Sequence, residues 1–402
     1  MPHTPDTPDA PTLYDVDGEL LPRPFKTGRL GHFGLYVRDI PASLAFYQDV
    51  LGFRRTDALP GPEGSAPPYG VFLTYNADHH AMVVIDAEVG KARGDAYAQG
   101  VTINQMSFQV ATLREVVEAN AMLTRRAKPV RRVGRDVPGS NWAVYFTDPD
   151  RNTVELFYGM EQIGWDRRSK PPEFIEYRSA EPPRLPQPAE LDEVRAVQDT
   201  GTDIGSGHQW SETREAVFDV GGVLLPRPFK IVNSGPISLF VSDIEASIAF
   251  YVDEMGMAVT EETTYAGERV VYLRSGTEHH TITLLPLALR RTVGLDQFST
   301  LAAYGLQVGS YRQLRDAAAF LEAEGCAIVE LPRELHLGID YALHVTDPDG
   351  HTVQIYHQME QVGTLGRPMT AAERRRPAAA WPRTLTPLGP TSPNPTFQGP
   401  LG

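Results

Sequence analysis

Three polar side chains interrupt apolar strand patterns in the first 160 residues. His32 sits in "GHFGLYV" (31–37), Gln105 in "INQMSFQV" (103–110) and Glu155 in "TVELF" (153–157). A neutral imidazole needs one backbone partner to rest in a core, so His32 alone reads as a satisfied core histidine, yet the same ring is a common ligand for a divalent metal. Glu155 alternates with Val154 and Leu156 and faces away from them, where a solvent-facing glutamate would look the same. Gln105 by itself reads as an ordinary polar strand residue. The doublet His79-His80 precedes the apolar run "AMVVI" and recurs as His279-His280. Imidazoles titrate near neutrality and can move protons, but a doublet repeated in this way fits a packing or strand-capping role equally well. The single cysteine, Cys326, excludes an internal disulfide and a cysteine-cluster metal site, and reads as a small buried residue.

The elements that must position these groups are legible from periodicity. Residues 31–37 alternate as a strand. Asp39 can cap a helix with Pro41 in its first turn, and Leu44, Tyr47, Val50 and Leu51 form its apolar face. Strands are predicted near 71–76 and 80–86. The plan then repeats: strand 103–110, helix 112–126, and strands 129–133, 142–147 and 153–158. The whole unit also occurs twice. "DVDGELLPRPFK" (15–26) returns as "DVGGVLLPRPFK" (219–230), "DIPASLAFYQDVLGF" (39–53) as "DIEASIAFYVDEMGM" (243–257), and "TDPDRNTVELFYGMEQIG" (147–164) as "TDPDGHTVQIYHQMEQVG" (346–363). This is a tandem duplication, predicting an α+β chain of four βαβββ modules paired into two domains. The expected divisions are an N-terminal extension 1–28, a domain 29–165, a Pro-, Glu- and Arg-rich linker or wrap 166–232, a second domain 233–365 and a disordered tail 366–402.

Composition bounds the function. The chain has 402 residues, 41% apolar and 22% charged, with a formal charge of −14. That charge argues against a nucleic-acid partner, and the basic groups at 125–132 and 373–377 read as solvated surface. No apolar run approaches the ~20 residues of a membrane span. The first residues lack a basic start and an apolar stretch, so the expected location is cytoplasmic.

Paired βαβββ modules with His32 on the first strand, "SLAFYQDVLGF" on the helix and "DPDRNTVELF" at the last strand resemble the vicinal oxygen chelate superfamily of glyoxalases, bleomycin-resistance proteins and type I extradiol dioxygenases. The resemblance implies that each module pair curls into a half-open barrel with metal ligands projecting inward. On residues 29–163 it places ligands at His32, Gln105 and Glu155, with Gln105 where ring-cleaving members carry a second histidine. An imidazole, an amide oxygen and a carboxylate suit Fe(II) first, with Mn(II) or another divalent ion as the alternative. The resemblance further implies His80 as acid/base and Tyr145 as a substrate-facing hydroxyl, with His79, Asp136, Asn141 and Trp142 near the substrate and Ser140 in the loop before Tyr145. Two positions depart from the family signature: Asp136 replaces a histidine, and Arg151 replaces a glycine. In the second copy, Pro236, Ala303 and Gln354 occupy the three ligand positions, so no metal is expected there.

The activity implied is an Fe(II)-dependent extradiol-type dioxygenase acting on a catechol or related polyphenol with O2, with a homodimer as the default assembly. The competing readings are a glyoxalase- or epimerase-like lyase or isomerase and a non-catalytic small-molecule binder. The first of these alternatives would need a fourth protein ligand, and "AMVVIDA" offers none except Asp86.

Overall fold

The computed structural model describes residues 12–60, 68–92, 94, 100–136, 138, 139, 141–164, 166–171, 173, 174, 180–295 and 298–392; Ser140 lies outside them. Eight strands form the first sheet: β1 (Leu30–Val37), β2 (Arg54–Leu59), β3 (Gly70–Thr74), β4 (Met82–Asp86), β5 (Ile103–Gln109), β6 (Arg132–Arg135), β7 (Trp142–Thr147) and β8 (Thr153–Tyr158). Their spatial order is β2-β3-β4-β1-β5-β8-β7-β6, so the two modules join along the antiparallel β1–β5 seam. The second copy repeats this with β9 (Ile231–Val241), β10 (Ala258–Tyr265), β11 (Glu268–Arg274), β12 (Ile282–Pro286), β13 (Leu301–Val308), β14 (Ile328–Val329), β15 (Ala342–Thr346) and β16 (Thr352–Tyr356), in the order β10-β11-β12-β9-β13-β16-β15-β14. Each sheet is a curled half-barrel, as the resemblance implies. Among the described residues no helix is long and apolar enough to cross a membrane.

The first helix, α1 (Ile40–Leu44), begins where expected. The Asp39 carboxylate accepts from the Ala42 N–H at 2.9 Å, and the helix runs on into a π-helical turn, Ala45–Val50, that buries Phe46 and Tyr47. In the second module α2 (Leu113–Arg125) starts with a capping box: Thr112 bonds the Glu115 N–H, and Glu115 bonds back to Thr112. Strand β2 escaped the periodicity reading because its half-buried residues, "RRTDAL", carry no clean alternation. Arg151, found where the family signature has glycine, takes φ +69°, while its counterpart Gly350 takes +89°. The left-handed turn is therefore kept, with an arginine in a conformation that favours glycine.

Several expected divisions were too simple. Residues 14–16 and 19–21 of the N-terminal extension form a hairpin. The linker holds a helix, α3 (Glu190–Asp199), tied to β6 by a bidentate, buried Arg135–Glu193 pair at 2.8 and 2.6 Å, and a second hairpin at 218–225. The tail expected to be disordered follows the second domain as far as residue 392. Its Arg374 is buried against Glu360 and Glu261, and Trp381 packs on Tyr341. Composition misses such a segment because one buried, paired arginine can anchor an otherwise Pro- and Ala-rich stretch.

The repeated "TDPD" turns explain themselves at the seam between domains. Tyr47 Oη donates to Asp347 Oδ2 and Tyr251 Oη donates to Asp148 Oδ2, both at 2.9 Å, and Phe33 stacks on Tyr304 with centroids 4.5 Å apart. The two carboxylates differ. Burial would raise Asp347, but the neighbouring His351 outweighs it and holds Asp347 below its ordinary value. Burial pushes Asp148, which has no cationic partner among its contacts, up to about 7 despite bonds from Asn152 and Tyr251. A raised carboxyl leaves the unfolded chain the more readily ionised, so this group's contribution to stability falls as pH rises from about 4 to 7. In Asp148→Asn that loss disappears. The variant's melting midpoint should therefore gain on the parent's between pH 5 and 8, and a pH-independent difference would refute this.

Candidate active site

Sheet register brings the proposed ligands together. His32 on β1 lies directly across from Ser107 on β5, and Ser107 lies directly across from Glu155 on β8. Gln105 is two residues along β5 and therefore on the same face. Both His32 and Glu155 are fully buried, so the carboxylate must be paired or heavily hydrogen-bonded. It is. Oε2 faces His32 Nε2 at 2.9 Å and accepts from Gln105 Nε2 at 3.1 Å and from Ser107 Oγ, while Oε1 accepts from Asn141 Nδ2 at 3.0 Å. Burial pushes the Glu155 carboxyl up, but His32 and the bonds from His32 and Ser107 outweigh burial and hold it below the usual range.

Gln105 and Asn141 link the group to a cavity of about 430 Å³, within the range of small-molecule sites, and His32 and Glu155 lie behind its lining. One wall is apolar, from Leu59, Phe72, Val83 and Ile85; the other is polar, from His80, Gln105, Asn141, Tyr145, Asp136 and Arg132. The His80 ring meets His32 edge-on, with centroids 4.4 Å apart. Its Nδ1 contacts His79 Nδ1 at 3.0 Å. Burial, then His32 and His79, push the His80 pKa well below its ordinary value, so the ring is neutral at pH 7. Tyr145 is paired in register with Glu155, and its Oη donates to Asp136 Oδ2 at 2.6 Å. Asp136 is also bound by Arg132, whose guanidinium lies 4.8 Å above the Tyr145 ring.

Two expected positions move. Trp142 does not line this cavity; it stands at the far end of β7, opposite Tyr158, under the Arg135 guanidinium and beside the linker segment 185–193. The alternation that aims Tyr145 inward aims residue 142 the other way. His79 is fully buried and does not line the cavity; it meets two lining residues, His80 and Phe72. Ser107 and Arg132 were missed. The signal for Ser107 was available, since it shares a face with Gln105, but serine carries no chemical signature of its own.

Gly139 supports His80 by its absence of a side chain. It has φ +99°, and a Cβ there would stand 2.9 Å from His80 Cε1. Gly139→Ala should displace the imidazole and lower any His80-dependent turnover by about 10- to 100-fold, with the fold checked by circular dichroism. Unchanged turnover in a folded variant would show that the position of the ring does not matter.

The second copy is a control. The same doublet contact recurs, His279 Nδ1 to His280 Nδ1 at 3.0 Å, so the doublet as such belongs to the fold. Its half-barrel is filled by Phe240, Leu285, Leu295 and Leu335, leaving about 10 Å³. Gln354, in the glutamate position, contacts His344 at 2.9 Å, and Pro236 and Ala303 offer no donor side chain.

Among the described residues no three His, Cys, Asp or Glu side chains gather where one ion could sit, so an ion at His32 and Glu155 depends on Gln105 as third donor. The set fits that role. Two ligands at right angles, each ~2.1 Å from an octahedral ion, lie about 3 Å apart, and the His32–Glu155 and Gln105–Glu155 separations are 2.9 and 3.1 Å. A half-turn of the Gln105 amide presents Oε1 at the same point.

A model of the Glyoxalase/Bleomycin resistance protein/Dioxygenase superfamily matches residues 29–156 and 234–355. The chain belongs to that superfamily. Among curated members, biphenyl-2,3-diol 1,2-dioxygenase of Paraburkholderia xenovorans (strain LB400) is 29% identical over 175 residues, 39% of this chain and 52% of its own. Catechol-2,3-dioxygenase of Bacillus subtilis (strain 168) is 23% identical over 258 residues, 63% and 73% of the two chains. The chain thus spans about half the length of the biphenyl-2,3-diol dioxygenase it matches. Superfamily folds align over most of the molecule. A catechol 2,3-dioxygenase structure gives a TM-score of 0.53 at 16% identity, covering 86% of this chain and 90% of the other, and the Mn(II)-bound glyoxalase from Novosphingobium aromaticivorans gives 0.51 at 15%, covering 82% of each.

Proposed function

We propose that this chain is a ring-cleaving dioxygenase of the extradiol type, holding one Fe(II) at His32, Gln105 and Glu155 and opening a catechol or related polyphenol with O2. The observation that carries the reading is the buried His32–Glu155 pair, with Gln105 bonding the same carboxylate oxygen and lining a 430 Å³ cavity that is half apolar. The dioxygenases among its relatives supply the reaction class. Mn(II) suits the same donors.

The ion, when bound, supplies Lewis-acid polarisation of two vicinal hydroxyl oxygens and the electrons that bring O2 into reaction. The chain's own residues do the rest. The wall of Leu59, Phe72, Val83 and Ile85 receives the ring and excludes water. Neutral His80 takes a hydroxyl proton and returns it as the ring opens. Asp136 accepts a hydrogen bond from Tyr145 Oη and so fixes where the Tyr145 oxygen is presented to substrate, while Arg132 holds Asp136. Ser107 and Asn141 keep the Glu155 carboxylate oriented, as outer-shell partners of a ligand do.

One observation disfavours the glyoxalase-like alternative. Asp86, the candidate fourth ligand in "AMVVIDA", pairs in register with Val37, five residues along β1 from His32 and so about 16 Å from it.

The test uses the full chain purified anaerobically and loaded with one equivalent of Fe(II) or, separately, Mn(II). Catechol and biphenyl-2,3-diol are offered with and without O2. One O2 consumed per diol, both oxygen atoms recovered in a yellow product and no turnover under argon are expected. Inert diols with either loaded metal would overturn the proposal, as would turnover of an oxo-acid or aldehyde adduct under argon.

A further inference from the structure

The histidine doublet belongs to a longer chain of contacts. His79 Nδ1 meets His80 Nδ1 at 3.0 Å, and the other nitrogen of the buried His79 ring, Nε2, stands 3.8 Å from Asp57 Oδ2 on β2. That nitrogen has no hydrogen-bond partner among the described residues. Asp57 is partly exposed and sits where the β2–β3 register slips between Arg55 and Asp57. Such a slip re-aims a side chain, and the Asp57 carboxylate points at His79. The second copy repeats every link. Glu261 takes the place of Asp57, the β10–β11 register slips between Val259 and Glu261, His279 Nε2 faces Glu261 Oε2 at 2.9 Å, and His279 Nδ1 meets His280 Nδ1 at 3.0 Å. Glutamate is one methylene longer than aspartate, which accounts for the closed contact there. In that copy Arg374 also binds Glu261.

Two neutral imidazoles that meet nitrogen to nitrogen must hold opposite tautomers, because one donates and the other accepts. In one arrangement His79 donates from Nδ1. Its Nε2 lone pair then faces a carboxylate, and His80 carries its proton on Nε2, where it can accept no other. In the second arrangement His80 donates from Nδ1, His79 holds its proton on Nε2 toward Asp57, and His80 Nε2 is bare. The negative charge of Asp57 favours the second. Glu161 is the other carboxylate that acts on His79, and its Oε1 is engaged by the Lys170 N–H at 2.6 Å.

We propose that Asp57 is a positioning residue for His80: it keeps a proton on His79 Nε2, so that His79 Nδ1 accepts from His80 Nδ1–H and His80 Nε2 is left bare. His80 lines the cavity with Nδ1 turned to His79, so Nε2 is the nitrogen left to a substrate hydroxyl. A carboxylate behind an imidazole sets the tautomer of a catalytic histidine in the same way elsewhere; here a second imidazole stands between them. The consequence for turnover rests on the dioxygenase reading, and the tautomer itself does not.

The test is NMR of the imidazole nitrogens in the full chain, isotope-labelled at histidine, before metal is added, with the doublet assigned by His79→Gln and His80→Gln. His79 protonated at Nε2 and His80 at Nδ1 are expected, with the pattern lost in Asp57→Asn. His79 protonated at Nδ1 or at both nitrogens would overturn the proposal, as would the same pattern in the parent and in Asp57→Asn. In the iron-loaded chain Asp57→Asn should lower kcat for catechol by about tenfold or more, with KM and metal content unchanged. It should fall below Asp57→Ala, because the asparagine amide can donate to His79 Nε2 and enforce the opposite tautomer. Asp57→Glu should keep the parent kcat, since the second copy closes the same contact with glutamate. A purely structural role predicts a lowered melting midpoint with the parent kcat per folded chain in Asp57→Asn, and that result would overturn the proposal. The spectra need no turnover: diols left inert by the loaded parent would sink the dioxygenase reading, and the tautomer would still be decided.

Discussion

Glu155→Ala and His32→Ala are expected to purify without the divalent ion and to show no ring cleavage. The parent, loaded anaerobically, should hold about one ion per chain. Losing an outer-shell partner of a metal ligand typically costs 10- to 100-fold in affinity, and losing a ligand should cost no less. Ser107→Ala therefore belongs in the same series as the milder case, with weaker metal binding but measurable turnover. Glu155 matters most because it is the one negative charge among the three proposed donors. His32, Gln105, Ser107 and Asn141 all converge on its two oxygens. Glu155→Gln separates charge from packing: it fills the same volume and should fold, yet it should lose the ion. Gln105→His should act in the opposite direction, since imidazole is the better ligand for Fe(II). Mass-spectrometric metal content decides all five variants. One ion per chain in His32→Ala and Glu155→Ala would remove both residues from the ligand set and leave His32 as a core histidine paired with a buried carboxylate.

How much of this was readable beforehand depends on which link of the chain is asked about. The duplication and the module plan lay in plain repeats, and His32 and Glu155 stood out because a polar residue in an apolar alternating strand must face something. What joins them could not be read from either strand alone. Strand order places β5 between β1 and β8 and sets Ser107 abreast of both residues, and that is a property of the closed sheet. Trp142 enters the expected site because alternation alone does not say which face of its strand turns inward; Tyr145 turns inward, and residue 142, three along, faces the other way. The tail and linker misled for another reason. Pro, Arg and Glu signal solvent on average, and that average hides Arg374 and Glu193, each buried because its partner is buried with it.

His80→Ala and His80→Gln should keep the ion and lose turnover. His80 lines the cavity and bonds its buried neighbour His79, so removing it leaves the His32–Gln105–Glu155 contacts in place. If the ring transfers the substrate proton, kcat should fall by about 10²- to 10⁴-fold while KM changes little. The duplicated chain supplies its own control. His280 makes the same contact with His279 in a copy whose three ligand positions hold Pro236, Ala303 and Gln354, so His280→Ala should cost stability and leave kcat per folded chain unchanged. Metal content, kcat and melting midpoint measured side by side on the His80 and His280 variants separate the two roles. Equal losses of stability with unchanged kcat in both copies would make the doublet a packing device throughout. A large kcat loss confined to His80, at full metal occupancy, assigns it the proton. Its low pKa then has a direct consequence: because burial and the flanking imidazoles push His80 below its ordinary value, the ring is already in its proton-accepting form at neutral pH.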